Sequence, residues 1–132
     1  MPDLVWRSVT ELSRMILTKE VSPVEVVRAF LERVTALDGK LKAFITVCAD
    51  AALEAARVAE AELVAGRPAG PLHGVPYGPK DLYNTRGVRT TGGSKILADF
   101  VPTDDATVVS RLRAAGAIVL GKIGRASCRE RV

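Results

Sequence analysis

Apolar positions recur along the first third of the chain at helical spacing. Leu12, Met15 and Ile16 share one face of a segment that opens with Ser8-Val9-Thr10-Glu11. A hydroxyl at the N-cap and a carboxylate three residues on form a capping box, so a helix is predicted to about residue 19. Ser22-Pro23-Val24-Glu25 repeats the signal, with proline at the first helical position, where its missing N–H costs nothing. Val27, Phe30, Leu31 and Val34 then follow at i, i+3, i+4 and i+7, the spacing of a buried stripe, and Asp38-Gly39 is the predicted stop. Residues 41–47 alternate weakly and end in Phe44-Ile45-Thr46-Val47, which predicts a short extended segment. Residues 49–65 are rich in alanine and glutamate and predict a helix ended by Gly66.

The pattern then changes. Arg67-Pro68-Ala69-Gly70-Pro71, taken with Gly66, holds two prolines and two glycines and must be a loop. Residues 72–82 are apolar but broken by Gly74, Pro76, Gly78 and Pro79, which suits an irregular strand meeting a site. After a turn-rich stretch at Thr90-Thr91-Gly92-Gly93-Ser94, Thr103-Asp104-Asp105 is predicted to cap a helix running to Ala115. Its buried face would be Val108, Val109, Leu112 and Ala115, with Gly116 as the left-handed stop. Ile118-Val119-Leu120 reads as a buried strand. Helix followed by strand after a glycine stop indicates an α/β fold.

Composition narrows the classes. The 132 residues are 48% hydrophobic, 26% charged and 5% aromatic, a globular balance with little aromatic filling. The start lacks a basic and apolar leader, and no apolar run approaches the roughly 20 residues that span a bilayer. A cytoplasmic protein without membrane contact is therefore expected. Cys48 and Cys128 have no metal-ligand spacing, so free thiols are expected. Arg125, Arg129, Arg131 and Glu130 supply half of the net charge of +4, and no basic, aromatic-interleaved footprint for direct nucleic-acid binding lies elsewhere. Residues 123–132 carry no apolar period. They resemble one reading frame of a short-read sequencing adapter and are read as a non-native tail.

Pattern alone offers little chemistry. His73, the single histidine, lies beside a turn and is read as structural. There is no nucleophile elbow and no metal-ligand cluster, so neither metal nor cofactor is expected. Lys80 is the anomaly, a lysine closing an apolar, proline-flanked segment. Two readings stay open. Lys80-Asp81 is a solvated pair at a strand end, or Lys80 sits in an apolar setting that favours its neutral form and makes it a general base.

Three ordered blocks carry a resemblance. Gly70 to Leu82 reads Gly-Pro-Leu-His-Gly-Val-Pro-Tyr-Gly-Pro-Lys-Asp-Leu, and Gly87-Val88-Arg89-Thr90-Thr91-Gly92-Gly93-Ser94 follows. Asp105-Ala106-Thr107-Val108-Val109 comes next, with residues 112–122 reading Leu-Arg-Ala-Ala-Gly-Ala-Ile-Val-Leu-Gly-Lys. Together they resemble the amidase-signature family across residues 1–122. That resemblance implies the N-terminal portion of the family's α/β fold, with helices leading into a mixed sheet flanked by helices. A slice of that sheet is expected to expose an apolar edge.

The resemblance also implies hydrolysis of an amide C–N bond by a Ser–cis-Ser–Lys triad, without cofactor. The family's Gly-Val-Pro-x-x-x-Lys-Asp block places the lysine on Lys80. None of Ser8, Ser13, Ser22, Ser94, Ser110 or Ser127 matches a triad serine; Ser94 reads as loop structure near the site. The expected chain is thus an incomplete, inactive piece of an amidase acting on a small carboxamide. The alternative within the family is the glutaminase subunit of a tRNA-dependent amidotransferase, which meets RNA only through partner subunits. A non-catalytic binding module that reuses the fold is the alternative of another class.

Overall fold

The computed structural model describes residues 3–124. A short 3-10 turn at Leu4–Trp6 leads into α1 (Val9–Leu17) and α2 (Pro23–Leu41). Both predicted capping boxes form. The Ser8 and Ser22 side chains accept from Glu11 N and Glu25 N, and each glutamate returns a bond to its N-cap backbone. Then come β1 (Phe44–Val47), α3 (Ala49–Val64), β2 (Pro76–Tyr77), α4 (Thr107–Ala114), β3 (Ile118–Val119) and β4 (Gly121–Ile123). This is the α/β class read from the sequence.

α2 is the spine. One side packs Val26 with Leu12, Met15, Ile16, Leu63 and Val75, while Val27 and Leu31 pack with Ala52, Ala56, Ala59, Ile118 and Leu120. The three small alanines let α3 lie close to α2. Each fully buried aliphatic side chain contributes about 1.5–3 kcal/mol.

The strands form two ladders that share one stretch of chain, residues 118–123. On one side β2 runs parallel, pairing Pro76 with Ile118 and Tyr77 with Val119, and Lys80 bridges Ile123 in the same sense. On the other side β1 runs antiparallel, pairing Thr46 with Lys122 and Val47 with Gly121. A methyl on Gly121 would run into the carbonyl oxygen of Thr46, so glycine is required for this approach.

Three expectations need correction. α2 does not stop at Asp38-Gly39 but runs to Leu41 and ends with Lys42 in the left-handed region at φ 49°. The Asp38 carboxylate instead accepts from Ala43 N (2.7 Å) and Phe44 N (3.1 Å), capping the exit from beneath. Nor do Thr103-Asp104-Asp105 cap α4, whose N-cap is Ala106 with no side-chain bond. Asp105 turns to Arg113 Nε (2.9 Å) and Arg86 N (2.7 Å), a bidentate ion pair outweighing a local cap. Val108, expected inside, is exposed, whereas Val109 is wholly buried. The expectation for the tail falls mostly on residues 125–132, outside the described residues; Ile123 itself belongs to β4.

Candidate active site

Lys80 stands where the β2 segment leaves the sheet. Ile123 N donates to Pro79 O and Asp81 N donates to Ile123 O, both at 2.9 Å, so parallel ladder bonds grip the backbone on either side of Lys80. The Lys80 carbonyl accepts from Tyr83 N at 3.1 Å, which turns the chain away from the sheet. The Lys80 side chain is exposed. The apolar setting expected around it is therefore not supplied by residues 3–124, because Lys80 lies on the open side of an extended segment.

Asp81 faces the other way, as alternate residues of extended chain do. It is 2% exposed, so Lys80 and Asp81 are not a solvated pair. Its carboxylate accepts from Thr91 N (3.1 and 3.2 Å) and from the Thr91 hydroxyl, and its carbonyl accepts from Gly92 N (2.8 Å). These bonds tie the two ends of the 81–92 loop together. Gly92 and Gly93 follow with φ of 60° and 78°, left-handed conformations that glycine enters freely. Thr91 Oγ1 in turn accepts from Gly93 N at 3.2 Å.

The buried lysine is Lys122, on β4, with no measurable exposure. Its Nζ donates to Tyr83 O, Thr85 Oγ1 (2.7 Å) and Thr90 Oγ1 (3.2 Å), all on the 81–92 loop. Burial lowers its pKa, against the opposing pull of the Asp81, Cys48 and Asp105 charges. Sequence reasoning passed over Lys122 as the end of a strand. A signal was present: a lysine closing Ile-Val-Leu-Gly is the same anomaly that singled out Lys80. Thr85, Thr90 and Thr91, all buried, were also missed. Threonine is common in turns, and the charged partners here, Lys122 and Asp81, are far away in sequence.

His73 is structural, as expected. It is 1% exposed, its Nδ1 accepts from Ala69 N (2.9 Å) and its Nε2 lies 2.7 Å from Ala59 O. With Nδ1 accepting, Nε2 carries the proton and donates to that carbonyl, so both ring nitrogens are committed to backbone. Ser94 also keeps to a turn: its N–H reaches Thr91 O (2.9 Å) and its hydroxyl accepts from Ile96 N (3.2 Å). Cys48 is a free thiol whose pKa burial pushes up. No described helix is long and apolar enough to cross a membrane.

The arrangement is thus one exposed lysine on a backbone held rigid by the sheet and by a loop built around a buried carboxylate and a buried lysine. Known proteins are similar to this chain in sequence and in shape. The Amidase family profile matches residues 25–124. A glutamyl-tRNA(Gln) amidotransferase subunit from Acidothermus cellulolyticus is 52% identical over 122 residues, 92% of this chain and 24% of that protein. The corresponding protein of an Azoarcus species is 54% identical over 119 residues, 90% of this chain and 24% of its own length. The chain therefore spans about a quarter of these relatives. Among solved structures, the native peptide amidase of Stenotrophomonas maltophilia superposes with a TM-score of 0.84 at 40% identity, covering 89% of this chain and 24% of that one. A fatty acid amide hydrolase superposes at 0.87 with 28% identity, covering 93% and 22%. With the Gly-Val-Pro-x-x-x-Lys-Asp block set at the sheet exit and the profile match covering most of its length, this chain belongs to the amidase family.

Proposed function

We propose that these residues are the lysine-bearing part of an amidase that hydrolyses a carboxamide C–N bond to carboxylate and ammonia. Lys80 is its general base. The neutral amine takes a proton relayed through a bridging serine, so that a second serine adds to the substrate carbonyl. The proton then passes to the departing nitrogen, ammonia leaves, and water releases the acyl group as carboxylate. Neither serine is assigned to a residue of this chain. The observation carrying the proposal is the placement of Lys80: backbone gripped on both sides by β4, side chain free, partner Asp81 turned inward. The role also requires cover over Lys80 when substrate is bound, since desolvation is what favours a neutral lysine.

The glutaminase reading draws specific support from the relatives. Identity is 52% and 54% to the two amidotransferase proteins, against 40% and 28% to the peptide amidase and the fatty acid amide hydrolase. In that reading glutamine is the amide, the partners are the other amidotransferase subunits, and RNA is met only through them.

The test joins residues 1–122 to the remainder of the Acidothermus cellulolyticus protein and measures ammonia release from glutamine and from simple amides. Lys80→Ala is expected to lower kcat at least about a thousand-fold, because triad members act as a unit. For the same reason the 132-residue chain alone is expected to release no ammonia. A Lys80→Ala enzyme within about ten-fold of its parent refutes the assignment of Lys80 as general base.

A further inference from the structure

The loop that follows Lys80 is organised from inside by a second lysine, and its hydrogen atoms can be counted. Thr85 Oγ1 donates to Tyr83 O (3.1 Å) and Thr90 Oγ1 donates to Val88 O (3.0 Å). Both hydroxyl protons are thereby spent on the loop's own carbonyls, and only oxygen lone pairs face Lys122. Tyr83 O offers a lone pair as well. Lys122 Nζ therefore meets three acceptors, Tyr83 O, Thr85 Oγ1 and Thr90 Oγ1. A lysine ammonium has three N–H donors and a neutral amine has two, so the cage matches the ammonium. Thr85 and Thr90 are 0% and 4% exposed, so water does not replace these bonds. No described carboxylate lies within ion-pair distance of Lys122.

The cage connects to Lys80 by two short routes. Lys122 binds Tyr83 O, and the N–H of that same residue binds Lys80 O. Lys122 also precedes Ile123, whose N–H and carbonyl grip Pro79 and Asp81 on either side of Lys80.

We propose that Lys122 is a positioning residue for Lys80: its ammonium fills the bend of the 81–92 loop and holds the backbone on which Lys80 stands. This rests on the reading of Lys80 as general base. Removing the ammonium without changing the volume leaves the buried Thr85 and Thr90 hydroxyl oxygens without their donor and Tyr83 O with only the Thr85 hydroxyl, and the loop must open to water to satisfy them. Lys80 then samples wrong positions, which lowers the rate of proton transfer without weakening substrate binding.

Two measurements test it. In the 132-residue chain, Lys122→Met should speed amide hydrogen exchange at Tyr83, Thr91 and Gly92 at least about ten-fold, while Val27 and Ala56 in the helical core keep their protection. A loop equally protected in both chains, or unprotected in the unsubstituted chain, overturns the proposal. In the chimeric enzyme, Lys122→Met should lower kcat about ten- to a hundred-fold with KM within about two-fold. In a Lys80→Ala background it should lower the residual rate no further, since it acts only through Lys80. Thr85→Val/Thr90→Val, which removes two acceptors and keeps the lysine, should reproduce the kcat loss if Lys122→Met fails to fold. If Lys80→Ala is inactive while Lys122→Met and the threonine pair keep full kcat, positioning by Lys122 is wrong and Lys80 stands. If Lys80→Ala is active, the reading of Lys80 itself falls.

Discussion

Gly116 sits where α4 ends and β3 begins, and adding one methyl there has a calculable cost. Its φ is +95°, where an L side chain is strained by about 1–2 kcal/mol. The new Cβ would also lie 2.6 Å from His73 Cα and 3.0 Å from His73 N, and backbone cannot swing aside as a flexible side chain can. Forcing that space open adds about 1–3 kcal/mol. Gly116→Ala should thus destabilise the chain by about 2–5 kcal/mol, a large share of the roughly 5–15 kcal/mol typical of a domain. The cost reaches the candidate site. Gly74 N binds Gly116 O (2.9 Å) and Ile118 N binds Val75 O (2.9 Å), so displacing Gly116 moves β3 off β2, the strand that leads to Lys80. Gly39→Ala is the control. Gly39 is inside α2 with open space around it, and alanine there should stabilise by about 0.5–1 kcal/mol. Urea unfolding reads both, the first as a midpoint lower by about 1 M or more. A Gly116→Ala midpoint indistinguishable from that of the parent chain would refute the packing argument.

Two further outcomes are expected. Lys19 occupies the left-handed position after α1 at φ 64°, with Lys19 N on Ile16 O and Glu20 N on Met15 O, the bonding that Gly66 and Gly116 make after α3 and α4. Lys19→Gly should raise stability by up to about 1 kcal/mol in the same urea assay, and a loss would contradict the assigned conformation. Asp105 is held below the usual carboxylate range chiefly by its bond to Arg113, with Arg86 N assisting and burial opposing. A depressed folded pKa stabilises above the unfolded carboxylate's pKa, and the contribution is lost as pH falls through the folded value. Melting temperature should therefore drop from about pH 5 downward, and less steeply in Arg113→Ala; identical pH slopes would remove Asp105 from the account.

Much of the fold was legible because its determinants are local. The capping boxes at Ser8 and Ser22 need only a hydroxyl, a carboxylate and a spacing of three, and both form as read. Gly116 stops α4 because the left-handed turn there is set by its own backbone, with Ala117 N on Leu112 O and Gly116 N on Arg113 O. His73 was rightly taken as structural. Where local signals competed with distant partners, the partners won. Asp38 reached past Gly39 to Ala43 and Phe44, and Asp105 bonds Arg113 in the last turn of α4 and Arg86 N rather than the first turn of that helix.

The sequence by itself determined the starts of α1 and α2, the glycine stops after α3 and α4, the α/β alternation and the Gly-Val-Pro-x-x-x-Lys-Asp block that singles out Lys80. Which lysine is buried was decided only by tertiary structure. Lys80 and Lys122 both close apolar segments, and nothing near either decides which of the two is buried. The difference is made by the 81–92 loop folding over β4, which brings Tyr83, Thr85 and Thr90 onto Lys122 and leaves Lys80 outside. A buried charge persists only where polar groups from elsewhere in the chain converge on it, and that convergence is a property of the folded molecule.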